Sequence, residues 1–399
     1  MKFLQGKRVL LCATGGIALY KAVGLASSLR KLGVELKIAM TPAATKLVSP
    51  VTFSSVSGAP VYVDEFSVNS GWIPHTELSR WADALVMAPA TANTIAKIAT
   101  GMADNLVTLI ALAFQREAKV IVPTMNVRMY SNPVVEENLE RLKARGWTVV
   151  EPAEGSLACG EVGKGRYPDN EIIVDAIAAS LLPKKFRGKK VLVTAGPTRE
   201  HIDPVRFISN RSSGKMGYAL AKAAQWYGSD VVLVSGPTHL PIPWGVELIR
   251  VETASQMYEA AMKHFEDSHL VLMAAAVADY TVSEPAPKKI KKGSERLVLE
   301  LQRTIDILEE MGSQKESQVL VGFSAETHDL EKNAREKLKK KRLDAIVAND
   351  VSRLDVGFES DENEVVILTE DGVHTIEKMP KIDLALAILD FLARRFGFD

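Results

Sequence analysis

The sequence predicts an α/β fold, two doubly wound Rossmann-like domains in one chain of 399 residues. Three observations predict it. Short apolar runs such as Val9–Cys12 and Val191–Thr194 alternate with stretches of helical periodicity. That is the pattern of parallel strands buried on both faces by covering helices. Most runs end in small, Gly- or hydroxyl-bearing turns, at the sheet edge where α/β proteins hold ligands. The chain also begins again. Gly188-Lys189-Lys190 leads into Val191–Thr194 and on to Gly196, as Gly6-Lys7-Arg8 leads into Val9–Cys12 and Thr14-Gly15-Gly16. Basic-then-apolar is a common entry to a strand, so coincidence competes with a second domain. The length itself suggests two or three domains.

Composition narrows the function classes. Lys+Arg and Asp+Glu are both 49, so net charge is near zero and gives no bulk attraction to nucleic acid or an acidic membrane. The two cysteines, Cys12 and Cys159, make no disulfide framework and point to a reducing compartment. The first residues have no signal-peptide layout, and the longest semi-apolar stretch, 82–99, is interrupted by Pro89, Asn93 and Lys97. The expectation is a soluble cytoplasmic protein.

In the first half, Val9–Cys12 is a strand, Ile17–Leu32 a helix stopped by Gly33, and Glu35–Met40 the next strand. Gly15-Gly16 lies at the helix N-terminus, where backbone N–H groups can approach a phosphate. Positions 15–20 read GGIALY, not G-x-G-x-x-G, so a mononucleotide is as good a fit as a dinucleotide. Thr41, ending the second strand, is a phosphate or ribose ligand or a plain cap. Residues 57–80 are a Gly-, Pro- and Asn-rich excursion carrying His75 just before a helix, Thr76–Trp81. A lone His is more often structural than catalytic, yet this one is placed for proton or carboxylate chemistry. Ala84–Ala88 is a strand followed by Pro89-Ala90-Thr91-Ala92-Asn93-Thr94, and 95–114 reads as mostly helical. Lys119–Val122 is a strand, and the turn after it holds Asn126, whose amide can hold a carboxylate. Pro133–Arg145 is a helix, and Trp147–Val150 a further strand. Four glycines in the twelve residues 155–166 make a mobile flap around Cys159. A cysteine there reaches a bound ligand and can donate a proton or attack, whereas Cys12 is packing. Glu171–Leu182 closes the half.

TGGIALYK (14–21), His75, PATANTIAK (89–97), PTMNVRMY (123–130) and LACGEVGKGR (157–166) together resemble the flavin-dependent cysteine decarboxylases, and among them the phosphopantothenoylcysteine decarboxylases. The resemblance covers residues 1 to about 180. It implies a flavodoxin-like flavoprotein domain over 1–188 and FMN as cofactor. It makes His75 an active-site residue, Asn126 the carboxylate-binding asparagine and Cys159 the proton donor. It places Gly15, Gly16, Ile17, Thr41, Thr91, Ala92, Asn93, Thr94 and Thr124 around FMN. The implied chemistry is oxidation of a cysteinyl thiol, loss of CO₂, then protonation and reduction of the resulting enethiolate. Tyr130 and Tyr167 replace the Trp and Met usual at those places, and both are read as apolar-body swaps that alter pocket shape.

In the second half, Val191–Thr194, Asp230–Ser235, Val246–Val251, His269–Ala276, Gln318–Phe323 and Asp344–Val347 are strands. Met216–Tyr227, Ala254–Glu266, Asp329–Lys341 and Lys381–Arg395 are helices. Glu364–Thr369 and Gly372–Ile376 form a hairpin. Gly214-Lys215 is not a P-loop, since Ser209 stands at the first glycine position and Met216 where Ser or Thr binds Mg²⁺. Ser212-Ser213-Gly214 instead opens the helix. Asp279, at a strand end, is a candidate ribose, base or metal ligand. The lysine run 288–292 is a solvated loop or a clamp for phosphates. Lys337 and Lys341 share a helix face.

TAGPTRE (194–200), RFISNRSSGKMG (206–217), AAAVADY (274–280), KIKK (289–292), GFSAET (322–327) and ANDV (348–351) resemble the phosphopantothenate–cysteine ligase family over roughly 188–399. The resemblance implies a ligase domain over 189–399, with 4'-phosphopantothenate, cysteine and CTP as substrates and Mg²⁺ as a helper ion. Asn210 handles the activated carboxylate and Lys289 stabilises charge at phosphorus. Asp279, Lys289, Thr304, Ile305, Asp306, Ile307, Phe323, Lys337 and Lys341 surround CTP. The turn at 304 lacks the family's usual proline. The Mg²⁺ ligands are not assigned. Homo-oligomers, as far as a dodecamer, are implied. Two other readings compete: a dinucleotide-dependent oxidoreductase, which lacks its glycine fingerprint, and a flavin-binding regulatory subunit without chemistry, against which His75, Asn126 and Cys159 speak.

Overall fold

The computed structural model of the chain describes residues 1–66, 72–156, 160–291, 297–326, 330–350 and 360–398. It has two compact units, Met1–Leu182 and Pro183–Asp399. In the first, strands Arg8–Ala13 (β1), Glu35–Met40 (β2), Val61–Tyr62 (β3), Ala84–Ala90 (β4), Lys119–Pro123 (β5) and Trp147–Val149 (β6) form a sheet in the order β3-β2-β1-β4-β5-β6. Every pairing in it is parallel. Without the two-residue edge strand β3, the order renumbers as 2-1-3-4-5, the flavodoxin arrangement.

The helices of this unit are Leu19–Lys31 (α1), Pro42–Thr45 (α2), Pro50–Ser57 (α3), Pro74–Trp81 (α4), Ala92–Thr100 (α5), Leu106–Ala113 (α6), Val127–Tyr130 (α7), Pro133–Ala144 (α8) and Asn170–Leu181 (α9). Leu10, Cys12, Leu85, Met87 and Ile121 of the sheet pack with Leu78 of α4, Ile95 of α5, Val107 and Ile110 of α6, and Leu139 and Leu142 of α8. On the sheet's other face lie α1 and α9. Both faces are thus covered, which is why the strands read as unbroken apolar runs. Cys12 is free and fully buried, and burial pushes its thiol pKa up, in keeping with a packing role.

The stretch 95–114, expected to be mostly helical, holds two helices. Gly101, at φ +79°, ends α5, and Asn105 starts α6 with a capping box closed by Thr108. The Gly-rich stretch contributes an antiparallel ribbon, Ala153–Ser156 (β7) with Val162–Arg166 (β8). Met125 N donates to Gly165 O at 3.1 Å, so the ribbon docks on the turn after β5.

The second unit is built on Lys190–Ala195 (β9). Small strands Arg199–His201 (β10) and Phe207–Ser209 (β11) pair with each other. Then come Asp230–Ser235 (β12), Val246–Arg250 (β13), Leu270–Met273 (β14), the pair Tyr280–Val282 (β15) and Leu301–Arg303 (β16), Val319–Glu326 (β17), Ala345–Asp350 (β18), Glu362–Thr369 (β19) and Gly372–Pro380 (β20). The main sheet runs β13-β12-β9-β14-β17-β18-β19-β20. It is parallel through β18 and ends in the expected antiparallel hairpin. Helices Lys215–Trp226 (α10) and Lys381–Phe396 (α14) pack together on one face. Ala254–Phe265 (α11), Ile307–Gln314 (α12) and Leu330–Lys340 (α13) supply Met257, Phe265, Met311, Ala334 and Leu338 to the core on the other. The lysine run lies within the excursion that joins β15 to β16, a ribbon that the sequence reading did not foresee. Lys292 lies outside the described residues.

Candidate active sites

In the first unit β1 sits between β2 and β4, so the loops leaving β1 and β4 open a crevice at their carboxyl ends. Thr14, fully buried, holds it together: its Oγ1 donates to Pro89 O at 2.8 Å and accepts from Thr91 N at 3.1 Å. Gly15 approaches α2 so closely that a Cβ there would stand 2.7 Å from Ala43 Cβ. Gly16 stands beside Thr91, whose γ-methyl would be 3.4 Å from an added Cβ. Thr41 caps α2 through Ala44 N at 3.3 Å. Thr91 caps α5 through Thr94 N at 3.4 Å, and the two hydroxyls are 3.2 Å apart. Of the residues expected around FMN, Gly15, Gly16, Thr41, Thr91, Ala92, Asn93 and Thr94 therefore lie on the turns leaving β1, β2 and β4. Ile17 projects, 70% exposed, and Thr124 N joins the same sheet edge by donating to Ala90 O at 3.0 Å.

His75 lies in the first turn of α4, one residue inside the helix rather than before it. Its Nδ1 is buried with no hydrogen-bond partner among the described residues. Asn126 caps α7: its Oδ1 accepts from Arg128 N at 2.8 Å, and its Nδ2 donates to Glu161 Oε2 at 2.5 Å. The second oxygen of Glu161 pairs with Arg128 Nε at 2.8 Å. Sequence reasoning singled out Asn126 and missed both charged partners. Cys159 lies outside the described residues.

The two departures from the resembled pattern are more than apolar swaps. Tyr130 Oη donates to Glu151 Oε2 at 2.6 Å, and Lys164 Nζ reaches the same oxygen at 2.7 Å, a tie from α7 to β8. Burial, with Glu151 beside it, pushes the Tyr130 phenol pKa up. Tyr167 is 2% exposed, and its hydroxyl is buried without a hydrogen-bond partner among the described residues.

The second unit holds a cleft of 780 Å³ at the carboxyl ends of β14 and β17. Asn210, Asp279, Thr304, Ile305, Asp306, Ile307, Phe323, Lys337 and Lys341, expected from scattered motifs, all line it. Asn210 Nδ2 donates to Val277 O at 2.9 Å. Thr304 Oγ1 donates to Ala278 O at 2.6 Å, which fixes the turn that lacks proline. Lys337 Nζ donates to Ser324 Oγ at 2.8 Å, and Lys341 Nζ lies 2.7 Å from Asp306 Oδ2. Burial opposes ionisation of Asp306. The Lys341 ammonium and the Glu309 N–H outweigh it and hold the carboxyl below its ordinary pKa.

Lys289 is exposed and does not line the cleft. The residue after it is anchored: Ile290 N donates to Asp203 Oδ2 at 3.1 Å, and Ile290 O accepts from Arg206 at 3.0 Å. Lys215 and Lys381, the first residues of α10 and α14, line the cleft and were not foreseen as site residues. Burial, with Lys215 nearby, lowers the Lys381 pKa to about 8. The lining carries seven cationic side chains (Arg211, Lys215, Arg303, Lys337, Lys340, Lys341, Lys381) against three acidic ones (Asp279, Asp306, Glu309). A near-neutral chain thus concentrates positive charge where a polyanion would bind. Among the described residues no group of three His, Cys, Asp or Glu could hold a metal ion, and no helix is long and apolar enough to cross a membrane.

Comparison with known proteins matches the two units separately and the chain as a whole. Residues 2–182 match the family model described as Flavoprotein, and 186–396 the one described as DNA/pantothenate metabolism flavoprotein C-terminal domain. The coenzyme A biosynthesis bifunctional protein CoaBC of Bacillus subtilis is 46% identical over 396 residues, 98% of this chain and 97% of that protein. Its namesake from Escherichia coli K12 is 40% identical over 399 residues, 98% of each. Among solved structures, the C-terminal domain of a CoaBC protein is 41% identical at TM-score 0.47, covering 54% of this chain and all 100% of that one. The FMN-dependent cysteine decarboxylase SpaF is 32% identical at TM-score 0.40, covering 45% of this chain and 99% of its own. With full-length identity at this level and both family models matched in order, the chain belongs to the family of the coenzyme A biosynthesis bifunctional proteins CoaBC.

Proposed function

We infer that the second unit joins cysteine to 4'-phosphopantothenate at the expense of CTP, and that the first unit decarboxylates the resulting phosphopantothenoylcysteine to 4'-phosphopantetheine. The observation that supports this most is the cationic cleft, which gathers side chains from five separated motifs around a space suited to a nucleoside triphosphate. A carboxylate is a poor acyl donor. Its attack on the α-phosphate of CTP expels pyrophosphate and leaves an acyl-cytidylate, from which the cysteine amine displaces CMP. Lys337 and Lys341, oriented by Ser324 and Asp306, offset the charge that shifts onto phosphate oxygens. Lys215 and Lys381 add charge at two helix N-termini, where backbone N–H groups also favour an anion. Asn210 positions the activated carboxylate. Lys289 acts at phosphorus from an exposed segment anchored through Ile290. Mg²⁺ has no protein ligands assigned: among the described residues no group of three His, Cys, Asp or Glu stands together to hold it.

In the first unit the residues fit FMN. The crevice has glycine at its closest approach to α2 and the capped N-terminus of α5 at its rim, and in α4 of the same unit the His75 Nδ1 is buried without a hydrogen-bond partner among the described residues. When bound, FMN supplies the two-electron chemistry that labilises the carboxylate. The chain's own residues do the rest. Gly15, Gly16, Thr41 and the Thr91–Thr94 turn hold the cofactor. Asn126 grips the carboxylate through Nδ2, and Cys159 returns a proton through Sγ. A cytoplasmic homo-oligomer, up to a dodecamer, belongs to the same reading.

The purified chain should be yellow, and it should release pyrophosphate from CTP only when 4'-phosphopantothenate is present. Titration with CTP and ATP in turn reads the nucleotide choice. A colourless protein that binds NADH, or pyrophosphate release indifferent to 4'-phosphopantothenate, would overturn the reading.

A further inference from the structure

Glu161 occupies what looks chemically like a substrate's place. One of its carboxylate oxygens takes the Asn126 amide at 2.5 Å and the other takes Arg128 Nε at 2.8 Å. That is a two-point grip on a carboxylate, with one neutral and one charged donor. The grip is not needed to hold the ribbon in place. β8 is already docked by Met125 N to Gly165 O at 3.1 Å, and α7 is tied to β8 through Tyr130, Glu151 and Lys164. As a source of stability an ion pair with Arg128, 84% exposed, is weak because solvent screens it. As a recognition device it is more specific, because both donors converge on a single carboxylate.

We propose that Arg128 completes the carboxylate subsite that Asn126 offers in the decarboxylating unit, and that Glu161 is its resident occupant, exchanged for the carboxylate of an acylated cysteine. The inference rests on the decarboxylation reading above and adds two specificity-determining residues to it. Self-occupancy multiplies the intrinsic affinity by the fraction of time the subsite is free. Removing the resident charge must therefore tighten binding of the acid and leave a carboxylate-free ligand untouched. Removing Arg128 must weaken binding of the acid alone.

The test uses the full-length flavin-loaded chain and two probes, phosphopantothenoylcysteine as the acid and 4'-phosphopantetheine as the ligand without a carboxylate. Glu161→Gln should lower KM for the acid about fivefold, and Glu161→Ala should do the same. Arg128→Ala should raise KM about tenfold. None of the three should change the Kd of 4'-phosphopantetheine by more than about twofold. A KM that is unchanged or raised in both Glu161 variants overturns the proposal, as does a parallel shift in the Kd of 4'-phosphopantetheine, which would mark a structural tie. If the wild-type chain does not decarboxylate at all, the decarboxylation reading falls. Calorimetric binding of the acid then still decides the subsite: tighter binding to Glu161→Gln than to wild type keeps it, and equal or weaker binding removes it.

Discussion

One hydroxyl, that of Thr14, fixes the spacing between the two loops of the first crevice. It is fully buried and serves two backbone groups on the neighbouring strand's exit, Pro89 O and Thr91 N. Valine has nearly the same shape and offers neither a donor nor an acceptor. Thr14→Val leaves a buried carbonyl and an N–H to find other partners, which costs about 1–3 kcal/mol. The substitution should lower the unit's unfolding free energy by that amount, and its urea midpoint with it. It should also loosen FMN, since Thr91 N opens the turn that caps α5. Urea titration reads the first effect, and flavin released on gel filtration reads the second. An unchanged midpoint with full flavin retention would show that water replaces the hydroxyl without loss.

At the scale of elements, the ribbon β7–β8 and the helix α14 make separate predictions. Gly165 has φ +152°, and a Cβ on it would lie 2.3 Å from Met125 O, a backbone atom that cannot step aside. Gly165→Ala should displace β8 from the turn carrying Asn126, cutting decarboxylation by more than tenfold while pyrophosphate release from CTP stays at wild-type rate. Loss of both activities together would instead indicate general misfolding. For α14, burial and then Lys215 lower the Lys381 pKa from 10.5 to about 8. Between those values the unfolded chain holds a proton that the folded chain has released, so this residue's contribution makes stability rise with pH across that window. Below the window the folded chain carries the full cost of a buried ammonium. Lys381→Met removes the group, so the stability difference between variant and wild type should fall as pH passes from about 8 to 10.5 and level off on either side. Urea midpoints at a series of pH values measure it, and a flat difference would show that the ammonium is not penalised.

These elements also show what the sequence makes legible. Strand positions follow from apolar runs, because a parallel strand covered on both faces has no polar side to hide. The hairpin β19–β20 is legible from two alternating runs with Gly372 at the turn. The split of 95–114 into α5 and α6 is signalled by Gly101 and Asn105, which helical periodicity across the break masks. Strand order is invisible to periodicity, since it is set by which crossovers pack. So are Glu161 on Asn126 and the meeting of Lys215 with Lys381, whose partners are 35 and 166 positions apart in the chain. Lys289 shows the reverse: the motif is plain in the sequence, and the structure sets its side chain outside the cleft.

On the scale of the whole molecule, the two activities should be separable. The core around Leu10, Met87, Ile110 and Leu142 draws only on the first unit, and that around Leu192, Met257, Leu320 and Leu338 only on the second. Phe186 is fully buried against Tyr227 and Phe398, with ring centroids 6.1 and 5.2 Å apart. The segment just after Leu182 therefore belongs to the second unit's packing, and a cut placed after Phe186 would strip an aromatic from that core. Losing a buried aromatic costs about 3–5 kcal/mol, a large share of a domain's stability of about 5–15 kcal/mol. Residues 1–182 and 183–399 expressed apart should each fold, the first yellow and able to decarboxylate, the second able to release pyrophosphate from CTP with 4'-phosphopantothenate. A second fragment starting at Lys189 should be markedly less stable, with a urea midpoint well below that of 183–399. If 183–399 is inert while the full chain is active, the second site draws on something the first unit supplies, and the division into two self-sufficient enzymes is wrong.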